Sequence, residues 1–467
     1  MHRFSSVVIL LVFLSSCTPF QPHPRPIQPV PLPKSYLVSL EATTARERWW
    51  EAFDSPELNR LVSEALDDNL DIRAARARLR QARAQARKAG SPLTPGLNLN
   101  GEASRSQSYR DHDLVNDSTE VTAGLAASYE LDLWGRIRGG QQAARRNADA
   151  ALKDVQAAAV SVAGEVASTW VDLLAARQEI SILEQQIALN TTRLDLQLNR
   201  FEKGLATALD VSQQQEILAA TRSELPQLRA QEQILTHRLA LLLGQSDPRH
   251  IELNRTALPQ PIPLPDTGLP ADLLWSRPDV QAAYLRLLSA DWDTSVARAD
   301  RFPAISLSAS AALTSDSFGL SWADWLSRLS SSLTAPLLDG GSRSAEVDRT
   351  RAVADQLLAD YAAALLGAIK EVQDALVQEA AQRETIDRRI EELGAAEQSR
   401  TQARLRYIKG QSSYLNFLDA LRNVQSLERS VLEARAELLT YRIALYRSLG
   451  RRWSREGSTS HPALELN

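Results

Sequence analysis

From Val121 to Leu133 the chain alternates. Val121, Ala123, Leu125, Ala127, Tyr129, Leu131 and Leu133 fall on one face, and Thr122, Gly124, Ala126, Ser128, Glu130 and Asp132 on the other. A period of two predicts a strand with two unlike faces. After the pair Gly139-Gly140 there is no Pro and no Gly-rich break until Gly204, so the spacing predicts one helix of about 96 Å at 1.5 Å per residue. The succession recurs. Leu329, Leu333, Ala335 and Leu337 alternate with Ser330, Ser332 and Thr334, then Asp339-Gly340-Gly341 leads into a helix ending at Gly410, about 104 Å long.

Other elements repeat in the same order. NLDIRAARARL from Asn69 matches RPDVQAAYLRL from Arg277, and PGLNLNGEA after Thr94 matches PAISLSASA after Phe302. RFEKG at Arg200 matches RYIKG at Arg406, and Leu243-Gly244 matches Leu449-Gly450. The chain is thus two copies of helix, strand, strand, long helix and return helix, at residues 49–246 and 271–450. Strands are expected near 96–105, 120–134, 303–314 and 328–338. A Pro-rich linker at 247–270 joins the halves, and residues 451–467 form a polar tail. Ser106 to Ser118 is polar and is expected to be a loop. Pro226 should bend the first return helix. Asp54 or Ser55, followed by Pro56, caps the first helix.

The N-terminus changes the picture. His2 and Arg3 precede an apolar run from Phe4 to Leu14, then Leu14-Ser15-Ser16-Cys17. This is a secretory segment whose end resembles a bacterial lipobox, so residues 1–16 are expected to be removed and Cys17 to be lipidated. Cys17 is the only Cys, which excludes an internal disulfide. Thr18, in place of Asp, points to outer membrane sorting by resemblance to lipoprotein sorting rules. Residues 17–48 begin Pro-rich and read as an extended tether. A net charge of −4 predicts no nucleic-acid partner, and the arginine stripe Arg73, Arg76, Arg80, Arg83, Arg87 reads as a solvated or ion-paired helix face. No uninterrupted apolar run reaches the roughly 18 residues of a membrane helix.

Strands of about ten residues cross a bilayer when tilted, and spanning strands must close into a barrel because lipid tolerates no unpaired edge. Four strands are too few, since known barrels begin at about eight. The chain must therefore assemble with copies of itself, as a dimer of eight strands or a trimer of twelve. Ser306, Ser308, Ser310, Ser330 and Ser332 suit a wet lumen. The sequence has no GxSxG, HExxH, CxxC, GxGxxG or P-loop pattern, and its six His residues show no metal-ligand spacing. No catalytic residue, cofactor or metal is therefore expected. The alternative class is a structural coiled-coil outer membrane lipoprotein without channel activity.

WWEAFDSPELNRLVSEALDDNLDIRAARARLRQARAQ, SYELDLWGRIRGG, RPDVQAAYLRL, APLLDGGSR and RYIKGQSSYLNFLDA resemble the outer membrane factor family, the TolC- and OprM-like exit ducts. The lipobox matches the OprM/NodT lipoprotein branch, and the resemblance runs in order from Trp49 to Gly450. It implies a trimer: a twelve-stranded β-barrel in the outer membrane continued by a twelve-helix periplasmic α-barrel. It implies a periplasmic adaptor and an inner-membrane pump as partners, in multidrug efflux or type I secretion. It also implies a periplasmic gate where the long helices turn at Gly204 and Gly410. Leu415, Asp419 and Arg422 sit where OprM-like members narrow the pore. Asp210 and Tyr407 match positions that pair between helices in TolC-like members. Asn416 and Ser412 depart from the Asp and Arg of those members, so one carboxylate ring, from Asp419, is expected, with Arg422 close enough along the helix to pair with it.

Overall fold

The computed structural model describes the chain except for residues 1–19, 23–24, 26, 38–47, 111, 252, 317–324 and 451–467. Cys17, its lipobox and the polar tail lie outside the described residues. A 3-10 turn at Trp49–Phe53 leads into α1 (Pro56–Asp68) and α2 (Leu70–Gly90), then β1 (Gly96–Arg110) and β2 (Asp113–Leu131). α3 (Arg136–Glu202) and α4 (Ala208–Leu242) complete the first repeat. The second repeat has a short helix at Leu273–Ser276, α5 (Pro278–Ala299), β3 (Ala304–Ser315), β4 (Trp325–Thr334), α6 (Ser342–Ile408) and α7 (Tyr414–Ser448). α3 and α6 have 67 residues each, about 100 Å of helix.

The first half departs from its sequence reading in three places. The opening helix is two helices. Ser55 Oγ caps α1 through the Leu58 N–H. The chain then breaks at buried Asn69, whose Oδ1 accepts from the N–H groups of Asp71 and Ile72 while its Nδ2 donates to the Leu242 carbonyl. The long helix starts at Arg136, before Gly139-Gly140, because the Asp132 carboxylate accepts from the backbone N–H groups of Ile137 and Arg138, at 3.0 and 2.9 Å. Gly139 serves packing instead: a Cβ there would stand 2.9 Å from Val296 Cγ2. The polar stretch Ser106 to Ser118 is strand. Arg105 pairs with Asp117 through two hydrogen bonds of 2.9 and 2.6 Å, and Gln107 adds a third. β3 runs close to its expected span, whereas β4 starts earlier than expected and stops at Thr334, before Pro336. α4 continues past Pro226.

The chain divides into two compact units. The first holds the sheet, the helix segments within Ala77–Leu152 and Gln281–Ala363, and the described residues up to Val30. Its four strands are antiparallel in the order β1-β2-β3-β4. Register puts Leu99, Leu125 and Ala311 side by side, and likewise Ala127, Ala309 and Leu329. The opposite face carries Asn100, Ser128, Ser308 and Ser330, the last two 2.8 Å apart through their hydroxyls. The alternation read in the sequence thus becomes one apolar and one polar sheet face. β1 and β2 continue as a two-stranded ribbon past the last β2–β3 pair, Val121 with Ser315. The N-terminal arm lies on this unit. Phe20 meets Phe302, which meets Trp134, at ring separations of 5.0 and 4.9 Å. Arg25 Nε donates to both Asp291 oxygens at 2.9 and 3.0 Å, and the Tyr361 hydroxyl donates to the Ile27 carbonyl.

The second unit holds the main apolar core. Trp49, Trp50, Phe53, Leu58 and Leu61 pack against Val166, Trp170, Leu174, Leu239, Leu243 and Ile443. Trp170 donates to Glu57 at 2.7 Å, so its ring is buried with its N–H satisfied. The Pro-rich linker is tied down here. Arg442 is 2% exposed and donates to the Ile262 carbonyl and to buried Glu379, and Tyr446 donates to the Pro263 carbonyl. Averaged along the helix, α3 and α6 each contain a stretch long and apolar enough to cross a membrane, although no single apolar run in them is that long. Ala, Val, Leu and Ile raise the average hydropathy although polar residues interrupt the apolar runs, and in α3 most of that stretch is buried in the fold.

Candidate channel gate

The two helical hairpins, α3–α4 and α6–α7, turn in the same way. Gly204 and Gly410 have φ of 66° and 71°, which a residue with a Cβ adopts only at a cost. The Leu205 N–H reaches back to the Arg200 carbonyl and Gln411 to Arg406, each at 2.8 Å, closing the long helices with the same six-residue loop. The following helices start differently. Thr207 and Asp210 form a reciprocal capping box on α4, whereas Ser413 caps α7 with no side-chain bond.

Leu415, Asp419 and Arg422 are all exposed and lie on successive turns of one face of α7. Arg422 pairs with Glu216 of α4 at 3.1 Å, not with Asp419. The reason is reach: Glu216 presents its carboxylate from the adjacent helix. Asp419 makes no ion pair among the described residues, so none of them compensates its charge. Asn416 donates to Ser412 Oγ at 2.8 Å, so the two departing residues satisfy each other. Asp210 is occupied by its cap, accepting from the Thr207 N–H at 2.8 Å. Tyr407 exchanges hydrogen bonds with Gln197 at 3.2 and 3.3 Å and lies under the Arg200 guanidinium at 5.3 Å. Asp210 and Tyr407 are therefore not bonded to each other within one chain.

Sequence reasoning missed the residues that join the two hairpins. The Tyr414 hydroxyl donates to Gln214 Oε1 at 2.6 Å, in a buried position. Gln214 Nε2 donates onward to the Asn190 carbonyl at 3.0 Å. The Tyr407 and Tyr414 rings are 5.0 Å apart, and Ile217, Phe417 and Leu418 close around them. Burial pushes the Tyr414 hydroxyl pKa up, against the opposing hydrogen bonding of Gln197, so it remains a donor at neutral pH. The Tyr414–Gln214 bond joins two neutral side chains, which suits a site partly cut off from water. A signal was available: Gln186, Asn190 and Gln197 of α3 are polar, helically spaced and buried. A buried polar stripe marks a partner for its hydrogen bonds.

The same unit has a recess of about 600 Å³ lined by residues that include Asp172, Glu179, Arg429, Glu433 and Glu437. Burial pushes the Asp172 and Glu179 pKa values up. Among the described residues no group of His, Cys, Asp and Glu is placed to hold a metal ion.

The family described as outer membrane efflux protein matches residues 61–245 and 269–451, that is, both repeats. The chain belongs to that family. It is 31% identical over 470 residues to the pyoverdine export outer membrane protein OpmQ of Pseudomonas putida, covering 98% of this chain and 99% of OpmQ. It is 30% identical to the cation efflux system protein CusC of Escherichia coli O157:H7, covering 94% and 96% of the two chains. The solved outer-membrane channel OprN superposes with a TM-score of 0.85 at 30% identity, over 94% of this chain and all of OprN. The protein is an outer membrane efflux channel, mainly helical with one four-stranded sheet, and its relatives are channels rather than enzymes.

Proposed function

We propose that three copies of the chain form the passive exit duct of a tripartite efflux system. The observation that carries this reading is the sheet. It has one apolar and one polar face and two edge strands, β1 and β4, that pair on one side only. Closing three such sheets edge to edge gives twelve strands, lipid outside and a wet lumen inside, with no edge left open. The long helices of the three chains supply the periplasmic part of the duct. Residues 1–16 act as the signal peptide, Cys17 carries the lipid anchor, and the chain works without catalysis.

The relatives are named for pyoverdine, cations and toluene, three unlike cargoes. A shared fold serving such different solutes supports a duct whose cargo is chosen upstream, by an inner-membrane pump and its periplasmic adaptor. The narrow end is formed by Leu415 and Asp419 of three copies, with the Gln197–Tyr407 and Gln214–Tyr414 bonds holding the hairpins closed at rest. Native mass spectrometry in detergent should give three chains, and the trimer in a planar bilayer should conduct poorly until its gate is perturbed. A monomer that conducts, or a trimer that never conducts under any perturbation, would rule this reading out.

A further inference from the structure

The first unit orders its helices as it orders its strands. α2 leads into β1, α3 follows β2, α5 leads into β3 and α6 follows β4. Neighbours touch in that order. Gly90 of α2 lies against Gln141 of α3. Ser289 of α5 donates to the Ala143 carbonyl of α3 at 2.9 Å. Tyr284 of α5 meets Tyr361 of α6 at 5.3 Å, and Arg343 pairs with Asp300 at 3.2 Å. α2 and α6 are therefore the two outer helices, below the two free strand edges.

Their outer sides are complementary. On α6, Val347, Ala354 and Tyr361 are buried toward the rest of the unit, and Ala345, Ala352 and Ala359 stand exposed on the opposite side. Asp348 and Asp355, 72% and 74% exposed, flank that exposed side two turns apart. On α2, Leu79, Ala86 and Gly90 share the face toward α3, and Ala77 and Ala84 lie opposite. Arg80 and Arg87 flank this side, also two turns apart, and with Arg83 they make no ion pair among the described residues. Asp348 has a weak partner in Arg351 at 3.4 Å, and Asp355 in Arg25 at 3.6 Å. Both contacts are long, and neither matches the geometry of a bidentate pair.

We propose that α2 of one copy packs on α6 of the next through these alanine edges, with Arg87 set against Asp348 and Arg80 against Asp355. The occupant is a second copy of this chain, because β4 runs antiparallel to β1 and so carries α6 into an antiparallel position beside the neighbour's α2. Arg87 and Asp348 then lie at the sheet end of their helices, and Arg80 and Asp355 lie two turns further along. Small residues let the backbones approach closely, which brings the flanking charges within reach. This inference rests on the trimeric reading above and deepens it by naming the contact that sets the subunit junction.

The test is a reciprocal charge exchange on the full-length chain, read as the trimer-to-monomer ratio by native mass spectrometry and by unheated gel electrophoresis. Arg80→Asp with Arg87→Asp should lower the ratio about tenfold or more, since each junction then sets four carboxylates together. Asp348→Arg with Asp355→Arg should do the same. The four changes combined should restore the ratio, and this rescue separates a broken junction from a chain that cannot fold. Arg78→Glu, the same sign of change on another side of α2, should leave the trimer intact. High salt should weaken the wild-type junction and leave the rescue variant equally salt-sensitive. If the combined variant is no better than its parents, or the Arg variants are as trimeric as wild type, the junction is wrong while the trimer stands. If the wild-type chain itself is monomeric, the trimeric reading fails first.

Discussion

Removing the Tyr414 hydroxyl leaves the Gln214 carbonyl oxygen buried without its donor. Such a loss costs about 1–3 kcal/mol, more than the net worth of the bond, because the orphaned acceptor stays out of water. The cost falls on the arrangement in which α3–α4 and α6–α7 are drawn together. Tyr414→Phe should therefore raise the resting single-channel conductance of the trimer while leaving its assembly unchanged. Tyr407→Phe, which loses a longer and half-exposed bond to Gln197, should act in the same direction and less strongly. Asp419 tests a different property. It has no compensating cation among the described residues, and three copies brought onto one axis would make a ring attractive to cations. Asp419→Ala should abolish block by divalent and trivalent cations without changing the resting conductance. Equal block in parent and variant would move the selectivity ring elsewhere. Leu415, Asp419 and Arg422 were named through family resemblance, and they fall on one helix face. The contacts of Arg422 and Tyr414 were not legible: Glu216 and Gln214 sit on a helix some two hundred residues away in sequence, and no local spacing encodes those contacts.

At the scale of elements, alternation was legible wherever the two faces of a strand meet different surroundings. It vanished in the ribbon beyond Val121, where both faces are mostly polar and exposed, and Arg105, Gln107 and Asp117 add cross-strand bonds to the backbone pairing. A polar run looks like a loop when nothing apolar marks its phase. Glycine pairs misled for a related reason. Gly340 and Gly341 have positive φ and do interrupt the chain, whereas Gly139 and Gly140 sit inside α3, with Gly139 packed near Val296. The true start of α3 is set by Asp132, a residue that the alternating pattern assigned to the polar face of a strand. Its carboxylate holds two N–H groups of the first turn, those of Ile137 and Arg138. Asp132→Ala should cost about 1 kcal/mol and more if the freed N–H groups stay buried, since Ile137 is 6% exposed. The variant trimer should unfold at lower temperature by circular dichroism. Asp132→Asn, which keeps an acceptor for one N–H, should recover most of the loss. If Asp132→Ala unfolds at the parent temperature, the cap contributes nothing.

For the whole molecule, the duplication and the free sheet edges were written in the sequence as a repeated order of elements. The course of the N-terminal arm was not, since Pro-rich segments carry no periodicity. The structure shows why the arm is more than a leash. Phe20 packs at a tilt against Phe302, two residues before β3, and Arg25 is held by Asp291. Cys17 precedes Phe20 by only three residues, so a lipid on Cys17 would be tethered to Phe20 by at most about 10 Å of chain. Acyl chains contribute about 0.8 kcal/mol per buried CH₂, enough for reversible attachment from one chain and stable attachment from two or three. A closed twelve-stranded barrel exceeds that, since each strand must pair its backbone groups inside the lipid. Cys17→Ser should therefore remove the acyl mass from the mature N-terminus, and the trimer should remain in the outer membrane fraction. Intact-mass spectrometry of the parent should show an acylated Cys17 with residues 1–16 absent. Phe20→Ala with Arg25→Ala, in the Cys17→Ser background, should free the arm to proteases without dissociating the trimer. A Cys17→Ser chain recovered as soluble periplasmic protein would mean that the lipid, and not the barrel, holds the duct in its membrane.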